Sequence, residues 1–398
     1  MTTRECNKVP QIRFRNHVSS WRTDSVSSLL SERNVQAPKS EFYPLMAFIA
    51  GQGVAPKGAR YNREFLVSDE LNKKYKQTEY GDFIYSSNNL ETGSIGINKY
   101  GNASISPVYS IFSPTSSGDS NFIDQLLRRK SFVAEMVKWR QGVVYGQWRI
   151  HETDFLKIDV TFPDIYEQRA IGKFLRNLDQ LIVLHQRKHA KLVALKKAML
   201  QKMFPKPGAT TPEIRFTGFK GDWSKKEFKQ IASRNSSISS KSGLPRLEYE
   251  DIASGEGCLN KNIFKKSSKK IGLTFEKGDI LFGKLRPYLK NWWMAKFPGI
   301  AVGDFWVIRA VDSDASFVYR LIQTEEFERV ANLSAGSKMP RSDWKLVSGS
   351  EFMIPMRNEE QQKIGSYFSN LDALTFQHAT QLQKLQQIKF ACLEKMFV

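Results

Sequence analysis

Two long stretches of the chain place hydrophobic residues three and four positions apart, which is the spacing of a helix that buries one face. They cover residues 167–204 and 360–397. The predicted buried stripes are Ile171, Phe174, Leu175, Leu178, Leu181, Ile182, His185, Leu192, Leu195, Met199 and Met203 in the first, and Ile364, Tyr367, Phe368, Leu371, Leu374, His378, Leu382, Leu385, Ile388, Cys392 and Met396 in the second. Because neither helix can bury a coiled-coil seam alone, we expect the two to pair with each other antiparallel.

The two stretches are copies of one another. At an offset of 193 residues, 17 of the 38 aligned positions are identical, whereas ordinary composition gives about one match in fifteen. Earlier matches have larger offsets: the Pro-x-Ile-Arg-Phe motif at 10–14 recurs at 212–216, and the Gly-Asp step at 81–82 recurs at 278–279. The steadily falling offset predicts a tandem duplication of one larger unit.

Each predicted helix has a recognisable start. Asp164 and Asn358 fit the N-cap of a capping box, whose third residue, Glu167 or Gln361, is expected to reach back to the cap amide. Pro205 ends the first helix. The chain therefore divides into a first globular block at 1–162, a spacer helix at 163–208, a second block at 209–354 and a C-terminal spacer helix at 355–398.

The blocks carry short patterns of both kinds. Residues 80–85, 104–112, 279–282 and 300–308 predict strands, and 121–140 and 316–332 have helical spacing. The Ser-rich stretches 113–120 and 236–243 predict loops. The predicted fold class is α+β: two mixed α/β domains joined by two long antiparallel helices that form an intramolecular coiled coil, with pseudo-twofold symmetry.

The charge narrows the choice of partner. The formal net charge is +20, which favours a polyanion such as nucleic acid, although a basic protein without that role stays possible. A helix of about 40 residues spans ~60 Å, enough to hold two heads one turn of duplex apart, about 34 Å.

Cys6, Cys258 and Cys392 are too scattered for a metal site, which favours a reduced, cytoplasmic compartment. Neither a signal peptide nor a membrane span is expected.

Catalytic and metal motifs are not expected in this chain. It contains no phosphate-binding P-loop, dinucleotide fingerprint, zinc-protease motif or nucleophile elbow. Pro163, Asp164 and Glu167 superficially resemble a nuclease motif with the wrong spacing. His185 and His189 have the i, i+4 spacing of zinc ligands but no third ligand nearby, so a polar layer in the seam is the favoured interpretation.

Candidate DNA-binding residues lie in two loops of each block, one just after a predicted strand and the other before the long helix. Basic residues suit phosphates and guanine, and amides suit adenine; a solvated loop over core tryptophans is the alternative. The candidates in the second block are Lys284, Arg286, Tyr288, Lys290, Ser337, Lys338 and Arg341, and those in the first are Ser86, Asn88, Asn89, Tyr145, Gln147 and Arg149. Because one set is basic and the other polar, two reading heads would recognise different bases.

Taken together, these features resemble the specificity (S) subunits of type I restriction-modification systems. The resemblance covers nearly the whole chain and is carried by the duplicated Pro-x-Ile-Arg-Phe motif with its downstream tryptophan, the Gly-Asp-Ile-Leu-Phe strand at 278–282, the Glu-Gln-x-x-Ile-Gly helix starts and the Lys-Met-Phe helix ends. One departure is Ser19-Ser20 where the second copy has Gly221-Asp222.

The resemblance implies two target recognition domains, each reading one half of a bipartite, asymmetric DNA site. The helices would set the spacing and dock two methyltransferase (M) subunits, and restriction (R) subunits would join them. The chain itself would be non-catalytic and need no cofactor, because methyl donor and ATP would be bound by the partners. Two alternatives remain open: a self-contained nuclease or methyltransferase, and a basic coiled-coil adaptor that does not bind DNA.

Overall fold

The chain folds into two compact units that both include parts of the long helices. The computed structural model describes residues 9–56, 73–143, 147–265, 269–333 and 339–398. Unit 1 comprises Met1–His185 and Gln381–Val398, and unit 2 comprises Gln186–Thr380. Each unit therefore contains one globular block, the first part of the helix that follows it, and the last part of the other long helix.

Unit 1 is built on antiparallel sheets flanked by short helices. Its strands are β1 Arg22–Ser25, β2 Leu30–Glu32, β3 Gln36–Ala37, β4 Met46–Ile49, β5 Gly53–Pro56, β6 Tyr75–Thr78, β7 Phe83–Tyr85, β8 Ile95–Ile97, β9 Ala103–Ile105, β10 Ser110–Pro114, β11 Gln141–Val143, β12 Gln147–Arg149 and β13 Asp159–Phe162. Its helices are α1 Ser120–Leu127, α2 Lys130–Lys138, α3 Glu152–Phe155 and the start of α4 Ile165–Lys202. The central sheet has the order β2-β10-β7-β8, and β1 pairs with β13.

Unit 2 repeats this plan. Its strands are β14 Ser224–Glu227, β15 Ala232–Asn235, β16 Ile238–Ser239, β17 Arg246–Leu247, β18 Ile252–Ala253, β19 Cys258–Leu259, β20 Gly272–Phe275, β21 Ile280–Gly283, β22 Trp292–Met294, β23 Gly299–Ala301, β24 Phe305–Ala310 and β25 Glu351–Ile354. Its helices are α5 Phe228–Ile231, α6 Ala315–Leu321, α7 Glu325–Ala331, α8 Trp344–Gly349 and the start of α9 Asn358–Lys395. The sheet order β15-β24-β21-β22 and the pair β14-β25 match unit 1, which confirms the predicted α+β class and the duplication.

The two long helices pack antiparallel within each unit. In unit 1, Lys389 near the end of α9 donates to Asp179 in the first half of α4 at 2.5 Å. In unit 2, Lys196 near the end of α4 contacts Asp372 in the first half of α9 at 2.6 Å. The four residues occupy equivalent positions of the two copies, so the duplication supplies the same ion pair twice.

The end of each helix packs into the core of the block it meets. Phe397 lies edge-on to Trp21 and stacks on Phe122 in unit 1. Phe204 makes the corresponding contacts with Trp223 and Phe317 in unit 2. The repeated Lys-Met-Phe ends and the tryptophans are therefore parts of the same two cores.

The two repeated motifs of the sequence meet in a buried ion pair. In unit 1, Arg13 Nε and Nη2 donate to the two carboxylate oxygens of Glu167 at 2.7 and 2.6 Å, and the Glu167 side chain is fully buried. In unit 2, Arg215 reaches Glu360 at 2.7 and 2.8 Å. Each arginine also donates to one carbonyl at 2.5 Å, that of Ser19 or Gly221, so the sequence departure at this turn leaves the contact unchanged.

The predicted capping boxes were therefore wrong in part. Asp164 does cap α4, since its carboxylate accepts from the amides of Tyr166 and Glu167 at 2.9 and 3.0 Å. The Glu167 side chain, however, binds Arg13 instead of reaching back to the cap. Asn358 is the first residue of α9 rather than its cap. Leaving a buried guanidinium without a charged partner costs more free energy than leaving a helix start without its second capping bond.

The glutamine and glycine of the repeated helix start join it to a short helix of the block. The Gln168 side chain accepts from the amide of Asp119, which caps α1, at 3.1 Å. The Gln361 side chain does the same for Asp314, which caps α6, at 2.9 Å. One turn later, glycine leaves room for the short helix: a Cβ on Gly172 would lie 2.6 Å from Asp119 Oδ1 and 2.7 Å from the amide of Phe122.

Gly172→Ala is accordingly expected to destabilise unit 1 by about 1–3 kcal/mol, because the added methyl overfills a rigid contact. The measurement is urea unfolding followed by circular dichroism. Gly349→Ala is the matched control, since Gly349 also lies in a helix but has open space around it; it should be neutral or slightly stabilising. Equal stability of the two variants would contradict the assignment of a packing role to Gly172.

The helix seam lies one position away from several residues predicted for it. Leu181, Leu195, Leu374 and Ile388 are 39–47% exposed. The less exposed positions alternate four and three apart and are equivalent in the two copies: Leu178, Ile182, His185, His189, Leu192, Lys196, Met199 and Met203 in α4, and Leu371, Thr375, His378, Leu382, Leu385, Lys389, Cys392 and Met396 in α9. The spacing is that of a coiled coil, with polar residues included in the seam.

Several predicted elements are divided in the structure. The strand predicted at 104–112 is β9 and β10 with a turn between them, and the one at 300–308 is β23 and β24, separated at Gly303. The helical stretches 121–140 and 316–332 are each two helices. The predicted loop 236–243 contains β16, and β10 extends into the predicted loop 113–120. None of the described helices combines the length and apolar content of a membrane span.

Candidate nucleic-acid interface

Two loops of unit 2 that were predicted separately lie side by side. Residues 284–290 follow β21, and residues 339–341 precede α8. The amide of Arg286 donates to the carbonyl of Pro340 at 2.7 Å, and Leu285 forms a bridge with Arg341. The structure thus places the basic side chains of both loops in one surface region, which we call the basic loop pair (residues 284–290 and 339–341).

The first loop is held rigidly. Arg286 and Lys290 both adopt left-handed backbone conformations, with φ of 51° and 56°, on either side of a single turn of 3-10 helix at Pro287–Leu289. The carbonyl of Lys290 accepts from the amide of Gly255 at 3.0 Å, which pins the end of the loop. Tyr288 at the tip is 54% exposed. A fixed loop that presents an aromatic ring between cations suits contact with a nucleic acid surface.

The cations of the basic loop pair differ in their internal partners. Lys290 binds Glu328 at 2.6 Å. Lys284 and Arg341 face the same carboxylate, Asp304, at 3.5 and 3.0 Å. Arg286 is exposed, and no described residue pairs with its guanidinium. Of the four predicted cations that the structure describes in these loops, Arg286 therefore requires the least rearrangement to bind a ligand.

Unit 1 also brings its two predicted loops together. The Asn88 side chain accepts from the amide of Trp148 at 2.6 Å, and Ser87 Oγ accepts from the amide of Ile150 at 3.0 Å. These bonds attach the β11–β12 hairpin to the end of β7. Asn89 and Gln147 are exposed on this surface. The result is a polar loop pair, residues 86–89 and 147–149, that corresponds to the basic one.

A carboxylate lies between two cations here as well. Glu152 faces Arg149 at 3.5 Å and Lys76 at 3.9 Å, and Ser110 donates to it at 2.9 Å. Burial opposes ionisation of Glu152, but the bonds from its own amide and from Ser110, together with the two cations, lower its pKa. Glu152 is therefore charged near neutral pH and restrains Arg149.

The predicted site residues fall into three groups. Ser86 is only 6% exposed, and its amide donates to the carbonyl of Ser94, so little of this residue is open to a ligand. Tyr145, Ser337 and Lys338 lie outside the described residues. DNA contact stays a prediction for the remaining nine, which reach the surface at least partly: Asn88, Asn89, Gln147, Arg149, Lys284, Arg286, Tyr288, Lys290 and Arg341. Lys284 is the least exposed of the cations, and Lys290 is partly covered by Glu328.

Three residues near these loops were not among the candidates predicted from the sequence. Trp148 is 50% exposed on the hairpin, and Met339 is 52% exposed beside Arg286. Asp304 was hidden inside a stretch interpreted as one strand. The Gly303-Asp304 step is a turn signal that could have located it, because Gly303 adopts a left-handed φ of 102° there.

Two other features of the structure resemble binding sites. In unit 2, a groove of about 920 Å³ lies beside the end of α4, but acids such as Glu213 and Glu325 line it together with lysines, which disfavours a polyanion. In unit 1, ligand atoms of His17, Asp164 and Glu167 lie within 4.8 Å of one another. Since Glu167 is bound by Arg13 and Asp164 caps α4, we assign these residues to the helix start.

The fold is similar to that of a known structure along almost its whole length. The crystal structure of the type I restriction-modification system S subunit from M. genitalium covers 98% of this chain and 99% of its own, with a TM-score of 0.63 at 16% sequence identity. The chain has the fold of a type I restriction-modification S subunit. This agrees with the resemblance found in the sequence. The duplicated motifs form the buried ion pairs and aromatic contacts of this fold.

Two further solved structures match over a similar length. The HsdS subunit from Thermoanaerobacter tengcongensis covers 95% of this chain and 96% of its own at 16% identity, with a TM-score of 0.41. A chain from a type I restriction-modification structure concerned with complex assembly and conformational transition covers 95% and 97% at 16% identity, with a TM-score of 0.43. No protein-family model and no curated protein matches the chain.

Proposed function

We propose that this protein is the DNA-specificity subunit of a type I restriction-modification complex, and that each unit reads one half of a bipartite, asymmetric DNA site. The observation that carries the proposal is the pair of loops that each unit assembles at equivalent places of the S-subunit fold. One pair is basic and the other polar, which supports recognition of two different half-sites. The net charge of +20 supports a polyanionic ligand.

We further propose that the long helices dock methyltransferase subunits. Several apolar side chains point away from the seam at equivalent positions of the two copies. Leu181 matches Leu374, Val183 matches Phe376, and Leu195 matches Ile388, and all six are 39–62% exposed. Exposed apolar positions favour a protein partner, and their repetition favours two copies of the same partner. The chain would itself be non-catalytic, with methyl donor and ATP bound by partner subunits.

The deciding experiment is to express the chain with its methyltransferase subunit in a methylation-free host and to map modified bases across the genome. We expect one bipartite, asymmetric sequence to be modified, and no modification when the chain is omitted. Modification without sequence preference, or modification in the absence of this chain, would contradict the proposal. Methylation or cleavage by the isolated chain would favour the alternative of a self-contained enzyme.

Arg286→Ala is expected to weaken binding of the target duplex by about 1–3 kcal/mol, because an arginine that reads a guanine edge contributes this much to discrimination. The measurement is fluorescence anisotropy with the mapped duplex and with duplexes altered in one half-site. The loss should concern the half-site read by unit 2.

Lys229→Ala is the charge-matched control for Arg286. Lys229 lies in α5 of unit 2, outside the basic loop pair, and is paired with Glu227 at 2.7 Å. Its removal should change the affinity for all duplexes by the same small factor. If Arg286→Ala behaved like Lys229→Ala, the basic loop pair would not be the reading surface.

A further inference from the structure

An acidic residue, Asp304, contacts both loops of the basic loop pair, although a carboxylate repels the negatively charged DNA backbone. Its carboxylate lies 3.0 Å from Arg341 Nη2 and 3.5 Å from Lys284 Nζ, and its side chain is 28% exposed. The two cations come from different loops, so this one acid connects the strand end at 284 with the segment before α8. Removing it would leave two neighbouring positive charges without a shared partner.

The position of Asp304 is fixed by its own backbone. Its carbonyl accepts from the amide of Lys284 at 2.9 Å and from the Tyr249 hydroxyl. The Tyr249 ring stacks on buried Phe305 with centroids 4.5 Å apart. Burial raises the pKa of Tyr249, so the hydroxyl keeps the proton that it donates. Because these anchors involve main-chain atoms and neighbours, replacing the Asp304 side chain leaves them intact.

A carboxylate in this position affects a DNA ligand in two ways. It holds Lys284 and Arg341 at set places, which favours a ligand whose acceptors match that spacing. It also repels phosphate, so a duplex of any sequence cannot use both cations merely as counterions. Both effects lower binding to unmatched DNA more than binding to a matched half-site.

We propose that Asp304 is a specificity-determining positioning residue, which sets the selectivity of unit 2 by fixing Lys284 and Arg341 and by excluding backbone phosphate from the space between them. This inference rests on the proposed DNA-specificity function. It assigns sequence discrimination to an acid that never needs to touch a base. Arg286, two residues beyond Lys284, remains the exposed cation for direct contact.

The test uses Asp304→Asn, which keeps the size of the side chain and removes its charge. The full-length chain with its methyltransferase partner selects duplexes from a pool with randomised bases, and its affinity for a random-sequence duplex is measured across salt concentrations. The half-site that changes in Arg286→Ala is assigned to unit 2. Asp304→Asn should lower enrichment at that half-site by about tenfold, leave the other half-site unchanged, and steepen the salt dependence by about 0.9 for one added phosphate contact.

Controls separate positioning from global charge and from folding. Glu351→Gln removes the same charge from an exposed pair with Lys225, and should leave both half-sites selected as in the wild type. Asp304→Glu should restore part of the selectivity. In a Lys284→Ala, Arg341→Ala background, Asp304→Asn should cause no further loss, whereas a purely structural role would give the same loss in both backgrounds.

The outcomes distinguish this inference from the proposed function. If the wild-type complex selects no bipartite sequence, the proposed function fails. If it does, but Asp304→Asn retains wild-type selection or loses both half-sites equally, the assignment to Asp304 is overturned while the proposed function stands.

Discussion

Glu167→Ala should destabilise unit 1 by about 3–5 kcal/mol, because it leaves a buried guanidinium without its counter-charge. The Arg13 side chain is only 10% exposed, and both of its bonds to Glu167 are lost in the variant. The carbonyl of Ser19 is the single described hydrogen-bond acceptor left to that guanidinium. Urea unfolding followed by circular dichroism measures the change.

Two controls define the cause of this loss. Glu135→Ala removes an acid from an exposed pair with Lys138 in the same unit, and should cost no more than about 0.5 kcal/mol. Replacing Arg13 and Glu167 together by methionine should cost less than Glu167→Ala alone, since no unpaired charge then remains. A Glu167→Ala effect as small as that of Glu135→Ala would show that Arg13 recovers full hydration in the variant.

The sequence predicted the repeated motifs but not that they touch. Arg13 and Glu167 are 154 positions apart, and no pattern of hydrophobicity or spacing links them. Only the tertiary fold brings the opening of each block to the start of the next helix. The local alternative, a complete capping box at Glu167, was the stronger signal in the sequence and was overridden by the buried charge.

Strands were predicted too long for a related reason. Residues 300–308 are apolar except at the Gly303-Asp304 step, and both β23 and β24 are largely buried, so the apolar run outweighed that single turn signal. The turn at 302–304 changes the direction of the chain and supplies Asp304 to the basic loop pair. Predicting one strand over 300–308 therefore concealed Asp304.

The positions of the reading loops were predictable, whereas their internal ion pairs were not. Loops after β7 and β21 follow from turn signals after buried strands. The pairing of Lys290 with Glu328, by contrast, depends on how α7 packs against the loop. The sequence treated all basic loop residues alike, and the structure separates the exposed Arg286 from cations that are already engaged.

The helix seam shows the same limit. A hydrophobic pattern assigns aliphatic residues to the seam wherever they occur, which placed Leu195 and Ile388 inside it. Lys196 and Lys389 lie in the seam instead, because a long side chain can bury its methylene groups and still bring its ammonium to an aspartate of the other helix. Polar residues in a seam restrict its register, and hydrophobicity alone cannot detect them.

Leu371→Asp and Leu374→Asp should therefore have very different effects, although the two residues lie three positions apart in α9. Leu371 is 6% exposed in the core of unit 2, and Leu374 is 44% exposed. Leu371→Asp removes a packed side chain and buries a carboxylate, which should cost about 4 kcal/mol or more.

Leu374→Asp introduces the same residue into the same helix, so it matches Leu371→Asp in helix propensity and charge. Because its carboxylate stays hydrated, we expect a loss below about 1 kcal/mol. Urea unfolding followed by tryptophan fluorescence measures both losses, because the core of unit 2 contains Trp223 and Trp306. If the two substitutions proved equally damaging, the seam would follow the simple hydrophobic stripe, and the assignment of Thr375 and Lys389 to it would be wrong. A large difference would support pairing of the duplicated helices through the partly polar seam, with Leu374 outside it.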